Sequence, residues 1–129
     1  MLLPHGTVIA VIDAHTFNLF RNAGTEAEPE LVETESPKLD SHNHSGGTHH
    51  DGSTAVKTEE AHTIAAIKWL NTEVLGHNIE HLVLIAGPRT IGELRKHYHK
   101  ALETALVGEV HKDLGKSKAQ DILAALKAK

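Results

Sequence analysis

The chain is poor in several residue types on which specialised proteins depend. It has no cysteine, which excludes a disulfide framework, a thiol nucleophile and a zinc site with thiolate ligands. Aromatic residues make up only 3% of the chain, so a surface that stacks single-stranded bases is poorly supported. Lys and Arg number 13 against 17 Asp and Glu. The resulting net charge of −4 provides no global attraction to nucleic acid or to an anionic membrane.

Long hydrophobic segments are also missing. No run approaches the roughly 20 apolar residues that a membrane-spanning helix needs. Residues 1–6 have neither the basic region nor the apolar length of a signal peptide. We therefore expect a cytoplasmic protein with no membrane partner. The 129 residues, 40% of them hydrophobic, suit a single domain with one core, spanning residues 1–129.

The clearest structural pattern is an unbroken apolar run over residues 82–86. Such a run is typical of a strand buried on both faces, in the middle of a sheet covered by helices. Gly87 and Pro88 end it, and Thr90 with Glu93 forms a capping-box pattern that predicts a helix start. The predicted apolar face of this helix consists of Ile91, Leu94, Tyr98 and Leu102. The turn between the strand and the helix is a place where open α/β sheets bind ligands.

The other elements follow from similar patterns. Strands are predicted at 7–13, 15–22 and 30–35, with a weaker one at 107–113. A helix is predicted to begin at Thr58 and stop at Gly76, and a last helix to open with Ser117 and Gln120. The element order βββαβαβα predicts a mixed five-stranded sheet with helices on both faces. This order is that of ribonuclease H-like folds.

Several short segments carry a resemblance that runs over nearly the whole chain. The longest is 86–98; the others include 3–7 (LPHGT), 20–22 (FRN), 35–37 (ESP), 69–71 (WLN) and 81–83 (HLV). Through them the sequence resembles the bacterial host attachment proteins, a family distantly similar to the middle domain of archaeal and eukaryotic class 1 peptide-chain release factors. That domain carries a Gly-Gly-Gln loop before a helix. Gly46 and Gly47 stand in the corresponding place, but Thr48 replaces the glutamine, which argues against peptide release.

Two regions are candidates for contact with a partner. Residues 36–57 have no periodicity and form a predicted loop, rich in glycine and histidine, that is either functional or disordered. The helix after the central strand begins in a locally basic segment, where an anion such as a phosphate is favoured. The alternative is an ordinary solvated helix face. The predicted contact residues for RNA or a ribosomal partner are Gly46, Gly47, Thr48, Arg89, Thr90, Arg95, Lys96 and His97.

Histidine is the one residue type in excess, with 12 in the chain, and several lie together in the predicted loop. Imidazole and carboxylate are good ligands for zinc or nickel. The spacings match no established site, so a plain polar loop and a loop that orders against RNA stay open. No cofactor is otherwise expected. The predicted metal ligands are His42, His44, His49, His50 and Asp51.

A nuclease must also be considered, because ribonuclease H-like folds often hold two metal ions on carboxylates. Asp13 ends the first predicted strand, and Glu59 or Glu60 and Asp121 are further candidates. The central strand, however, is followed by Gly87 and Pro88 where a carboxylate would be needed. The sequence therefore favours a non-enzymatic module that binds RNA or a ribosomal partner, with a metal-dependent enzyme as the alternative.

Overall fold

The protein folds around one mixed five-stranded sheet. The structure, a computed structural model, describes residues 1–39 and 54–128. Its elements in chain order are β1 (Val8–Ile12), β2 (Phe17–Asn22), β3 (Leu31–Thr34), α1 (Thr54–Leu75), β4 (Leu82–Ala86), α2 (Pro88–Arg95), α3 (Lys100–Ala105), β5 (Leu106–His111) and α4 (Ala119–Lys127). The strand order is β3-β2-β1-β4-β5. The predicted fold class, an α/β domain with a mixed five-stranded sheet, is confirmed.

Strands β1 and β4 form the centre of the sheet. They pair in parallel, with Val8 beside Leu82 and Val11 beside Ile85. All residues of both strands are buried, as the absence of polar alternation predicts. β2 pairs antiparallel with β1, and β3 pairs antiparallel with β2, which confirms the predicted hairpin and the third strand.

The helices cover both faces of the sheet. Helices α1, α2 and α3 pack on one face, over side chains of β1, β2 and β4. Helix α4 covers the other face, where Ile122 and Leu126 contact the alternate side chains of the same strands. Along β1 the odd and even residues therefore enter different cores, as the period of two in a strand requires.

A buried asparagine joins the N-terminal segment to the β2–β3 turn. Asn22 has no exposed surface, and its Nδ2 donates to the carbonyls of Leu3 at 2.8 Å, Thr25 at 3.2 Å and Pro4 at 3.4 Å. Its Oδ1 accepts from the amides of Gly24 and Glu30, both at 2.9 Å. One side chain thus satisfies polar backbone groups from two separate segments of the chain.

The helix predicted from 90 through 102 is interrupted, so the prediction of one continuous helix is wrong. α2 ends at Arg95 and α3 begins at Lys100. Asn71 of α1 hydrogen-bonds to the backbone between the two helices. Its Nδ2 donates to the His97 carbonyl at 2.9 Å, and its Oδ1 accepts from the His99 amide at 3.1 Å. Both short helices keep the predicted apolar face, because Leu94 and Leu102 are fully buried.

Three predicted helix starts are also wrong. Helix α2 begins at Pro88 rather than Thr90, because proline at the first helical position has no amide to leave unpaired. Helix α1 begins at Thr54 rather than Thr58, so the region before it ends at 53 and not at 57. Helix α4 has Lys118 as its N-cap, and Ser117 instead donates its amide to the Leu114 carbonyl at 3.0 Å.

Strand β5 lies at one edge of the described sheet and is irregular. Leu106 pairs with Leu82 and Gly108 with Val83, so Val107 is an extra residue in the register.

In the described part of the chain, no helix is long and apolar enough to cross a membrane.

Candidate functional site

A cleft of about 200 Å³ opens at the carboxyl ends of β1 and β4. In sheets of this kind, that end of neighbouring parallel strands is where ligands are bound. The lining residues are Ala14, Glu59, Glu60, Thr63, Arg89, Thr90 and Glu93. The cleft therefore combines three carboxylates, one guanidinium and two hydroxyls.

Three elements position these side chains. Ala14 comes from the turn that follows β1, and Arg89 and Thr90 come from the first turn of α2, directly after β4. Glu93 lies one turn further along α2, on the same side as Arg89 and Thr90. Helix α1 contributes the opposite wall, since it packs beside α2 on the same face of the sheet. The site is thus fixed by the parallel pairing of β1 with β4.

Some charges in the cleft are paired and others are not. The Glu93 carboxylate binds Lys96 Nζ at 3.0 Å, and the Glu59 carboxylate lies 3.6 Å from His15 Nε2. Within residues 1–39 and 54–128, Arg89 and Glu60 form no ion pair, although they have opposite charges and line one cleft. Both side chains are exposed.

The carboxylate that the sequence suggested for a nuclease is engaged in a turn. Asp13 Oδ1 accepts from the amides of His15 at 2.8 Å and Thr16 at 2.7 Å. Partial burial opposes ionisation, but these hydrogen bonds hold the pKa of Asp13 below its usual value. Asp121 lies in the first turn of α4, on the opposite face of the sheet from α1. The described residues contain no group of three or more histidines and carboxylates placed to hold a metal ion.

A second polar cluster lies beside β5 and was not anticipated from the sequence. The Glu109 carboxylate accepts from Tyr98 Oη at 2.7 Å and from Arg95 Nε at 3.3 Å, and it also accepts from the terminal guanidinium nitrogen of Arg95. His111 Nε2 lies 3.1 Å from the same carboxylate. We call these four residues the Glu109 cluster. The weak strand pattern at 107–113 gives no sign that Glu109 forms a cluster, because two of its partners come from α2 and the segment after it.

The Glu109 cluster changes the ionisation of its members. The hydrogen bond from Arg95 lowers the pKa of Glu109 to about 2, against an ordinary value of 4.5, while partial burial opposes this shift. Burial, followed by the hydrogen bond to Glu109, raises the pKa of Tyr98. Glu109 is therefore an ionised acceptor at neutral pH, and Tyr98 is a neutral donor.

This ionisation predicts a pH-dependent stability. Because the pKa of Glu109 is lower in the folded state, its contribution is present above pH 4.5 and is lost as the pH falls towards 2. Because Arg95 is exposed and water screens its charge, we expect a contribution of about 1–2 kcal/mol, less than the whole pKa shift would give. Urea unfolding of the wild type and Glu109→Gln should differ by this amount at pH 7 and by clearly less at pH 2.5. If the two proteins differed equally in free energy of unfolding at both pH values, ionised Glu109 would not be the cause. Glu80→Gln, at an exposed site, controls for the loss of one negative charge.

The predicted contact residues are only partly brought together. Arg89 and Thr90 line the cleft. Arg95 and Lys96 lie nearby, but both are ion-paired, with Glu109 and Glu93 respectively. His97 follows α2, and its carbonyl accepts from Asn71. The predicted residues Gly46, Gly47, Thr48, His42, His44, His49, His50 and Asp51 lie outside the described residues.

Comparison with known proteins adds one positive finding. Residues 6–126 match the family model described as bacterial archaeo-eukaryotic release factor family 12. No curated protein matches the chain. The match confirms the resemblance to release factors and covers nearly the whole sequence.

Proposed function

The chain belongs to bacterial archaeo-eukaryotic release factor family 12, and from that membership we propose that it is a non-enzymatic module that binds the ribosome in the cytoplasm. Its contact with ribosomal RNA would be formed by the start of α2, with Arg89 and Thr90. The Gly46–Gly47–Thr48 segment would complete the contact. Position 48 is threonine instead of the glutamine that release factors use for peptide release, so binding rather than hydrolysis is the proposed activity.

The exposed guanidinium of Arg89 is the observation that best supports this contact. It lies in the first turn of α2, where Gly87 is the N-cap and no side chain in the described part of the chain caps the free amides. Free amides and the helix dipole favour an anion at this position, and a guanidinium binds phosphate through two parallel hydrogen bonds. Arg95 and Lys96 are already ion-paired, which leaves Arg89 as the stronger candidate.

The test is ribosome binding by Arg89→Gln. We expect affinity for purified ribosomes to fall about tenfold, because one charge-assisted contact is worth about 1.4 kcal/mol or more. The slope of log affinity against log salt should decrease by about 1, the value for one lost phosphate contact. Cosedimentation over a series of salt concentrations measures both quantities. Lys68→Gln, at an exposed position of α1, is the matched control.

Unchanged affinity and salt dependence in Arg89→Gln would contradict the proposed contact. The alternative, a metal-dependent enzyme with ligands among His42, His44, His49 and His50, makes a different prediction. Elemental analysis of tag-free protein would then find about one zinc or nickel per chain. That metal would be lost when the four histidines are replaced by alanine, whereas ribosome binding would not depend on Arg89.

A further inference from the structure

The cleft contains opposite charges that do not neutralise each other. Arg89 and Glu60 both line it without forming an ion pair with any described residue. We propose that the cleft binds a small zwitterion, with an ammonium group and a carboxylate a short distance apart, and that its ligand is a free α-amino acid. This inference goes beyond ribosome binding and does not rest on it.

The two ends of such a ligand meet matching groups. Its carboxylate would bind the Arg89 guanidinium beside the free amides at the start of α2, where negative charge is favoured. Its ammonium group would bind the Glu60 carboxylate on α1, across the cleft. Glu59 adds negative charge on the same wall. Each of these two charges thereby gains a partner that residues 1–39 and 54–128 do not provide.

A threonine on the cleft wall offers a ligand one further polar contact. Thr63 lines the cleft but is only 5% exposed. Within the described residues, its side chain makes no hydrogen bond, although the similar Thr72 of α1 donates to the Lys68 carbonyl at 3.0 Å. A ligand between Glu60 and Arg89 would offer Thr63 both donors and acceptors.

The size and charge of the cleft narrow the ligand class. A volume of about 200 Å³ is below the range of roughly 300–1,000 Å³ that holds drug-sized molecules, so the ligand is small. Three carboxylates against one guanidinium disfavour a dicarboxylate, whose second negative charge would lie among the carboxylates of the protein. Neutral and basic amino acids should therefore bind more tightly than glutamate.

The experiment is a titration of the full chain followed by two-dimensional NMR of its backbone amides. The probes are L-alanine, L-lysine and L-glutamate, with N-acetyl-L-alanine and L-alanine amide as forms that lack one charge each. We expect saturable shifts at Arg89 and Thr90 for alanine and lysine. Binding of glutamate and of both blocked forms should be at least about tenfold weaker, the cost of about 1.4 kcal/mol for one lost charge contact.

Two variants place the ligand in the cleft. Glu60→Gln and Arg89→Gln should each weaken alanine binding about tenfold, whereas the controls Glu80→Gln and Lys68→Gln, at exposed sites elsewhere, should leave it unchanged. The proposal is overturned if alanine and lysine cause no saturable shifts, if the blocked forms bind equally well, or if both cleft variants bind normally. Glu60→Gln separates this proposal from ribosome binding, because it removes the ammonium partner without removing a positive charge.

Discussion

Replacing Asn22 by leucine should lower the free energy of unfolding by about 4 kcal/mol. The Asn22 side chain is fully buried and makes hydrogen bonds with backbone groups before β1 and in the β2–β3 turn. Leucine has a similar volume but no polar atoms, so several backbone amides and carbonyls would lose their partner. Each buried polar group left unsatisfied costs about 1–3 kcal/mol, and partial access to water limits the sum.

Urea unfolding at pH 7 measures this change. Asn18→Leu is the matched control, because Asn18 is only partly buried and, among the described residues, its side chain makes a single hydrogen bond, to the Gly115 carbonyl at 3.0 Å. That variant should lose about 1 kcal/mol. A loss below 1 kcal/mol for Asn22→Leu would show that the N-terminal segment is not held by this side chain.

The second large effect is expected for Gly115→Ala, which should lower the free energy of unfolding by about 3 kcal/mol. A Cβ at position 115 would lie 2.7 Å from Asp13 Cγ and 3.0 Å from Asp13 Cβ, closer than van der Waals contact allows. Asp13 cannot move away easily, since its carboxylate binds the amides of His15 and Thr16 in the β1–β2 turn. The loss combines overpacking, about 1–3 kcal/mol, with weakening of those hydrogen bonds.

Two further variants identify the cause of this loss. In Gly92→Ala, the new Cβ would meet no atom of the described residues within 4 Å apart from the backbone of its own helix. The free energy of unfolding should therefore rise by about 0.5–1 kcal/mol. Asp13→Gly removes the clashing side chain. Combined with Gly115→Ala, it should therefore cost clearly less than the sum of the two single variants. Additive costs would exclude the contact with Asp13 as the cause.

Features fixed by local pattern were predictable from the sequence. The buried strand β4 follows from five consecutive apolar residues, and its neighbour β1 from a similar run. The same patterns predicted helices on both faces. Helix boundaries were less predictable, because only Gly87 separates the end of β4 at Ala86 from the start of α2 at Pro88.

Features that depend on distant residues were not predictable. The periodic apolar positions of 91–102 fit one helix and two short helices equally well, since both bury Leu94 and Leu102. What permits the interruption is Asn71, which lies 26 residues before His97 in the chain. No local pattern in α1 indicates that its side chain serves another element.

The same distinction applies to the candidate site. Arg89 was predicted because a cation that follows a buried strand closely, at the start of a helix, has an evident position. The carboxylates facing it come from α1, and their local pattern indicates only a helix start or a nuclease site. The ion pair of Arg95 with Glu109 joins α2 to β5. An ion pair between two separate elements cannot be predicted until the fold that brings them together is known.

The extra residue in β5 has a consequence for the behaviour of many copies of the protein. A flat sheet edge with a regular row of free amides and carbonyls can be extended by a strand from another molecule, which is how fibrils grow. At one edge of the described sheet, Val107 interrupts that regular row. At the other edge, β3 has only four residues and includes the exposed carboxylate of Glu33. Both edges are therefore poor templates for growth, which favours a dispersed protein even in a crowded solution.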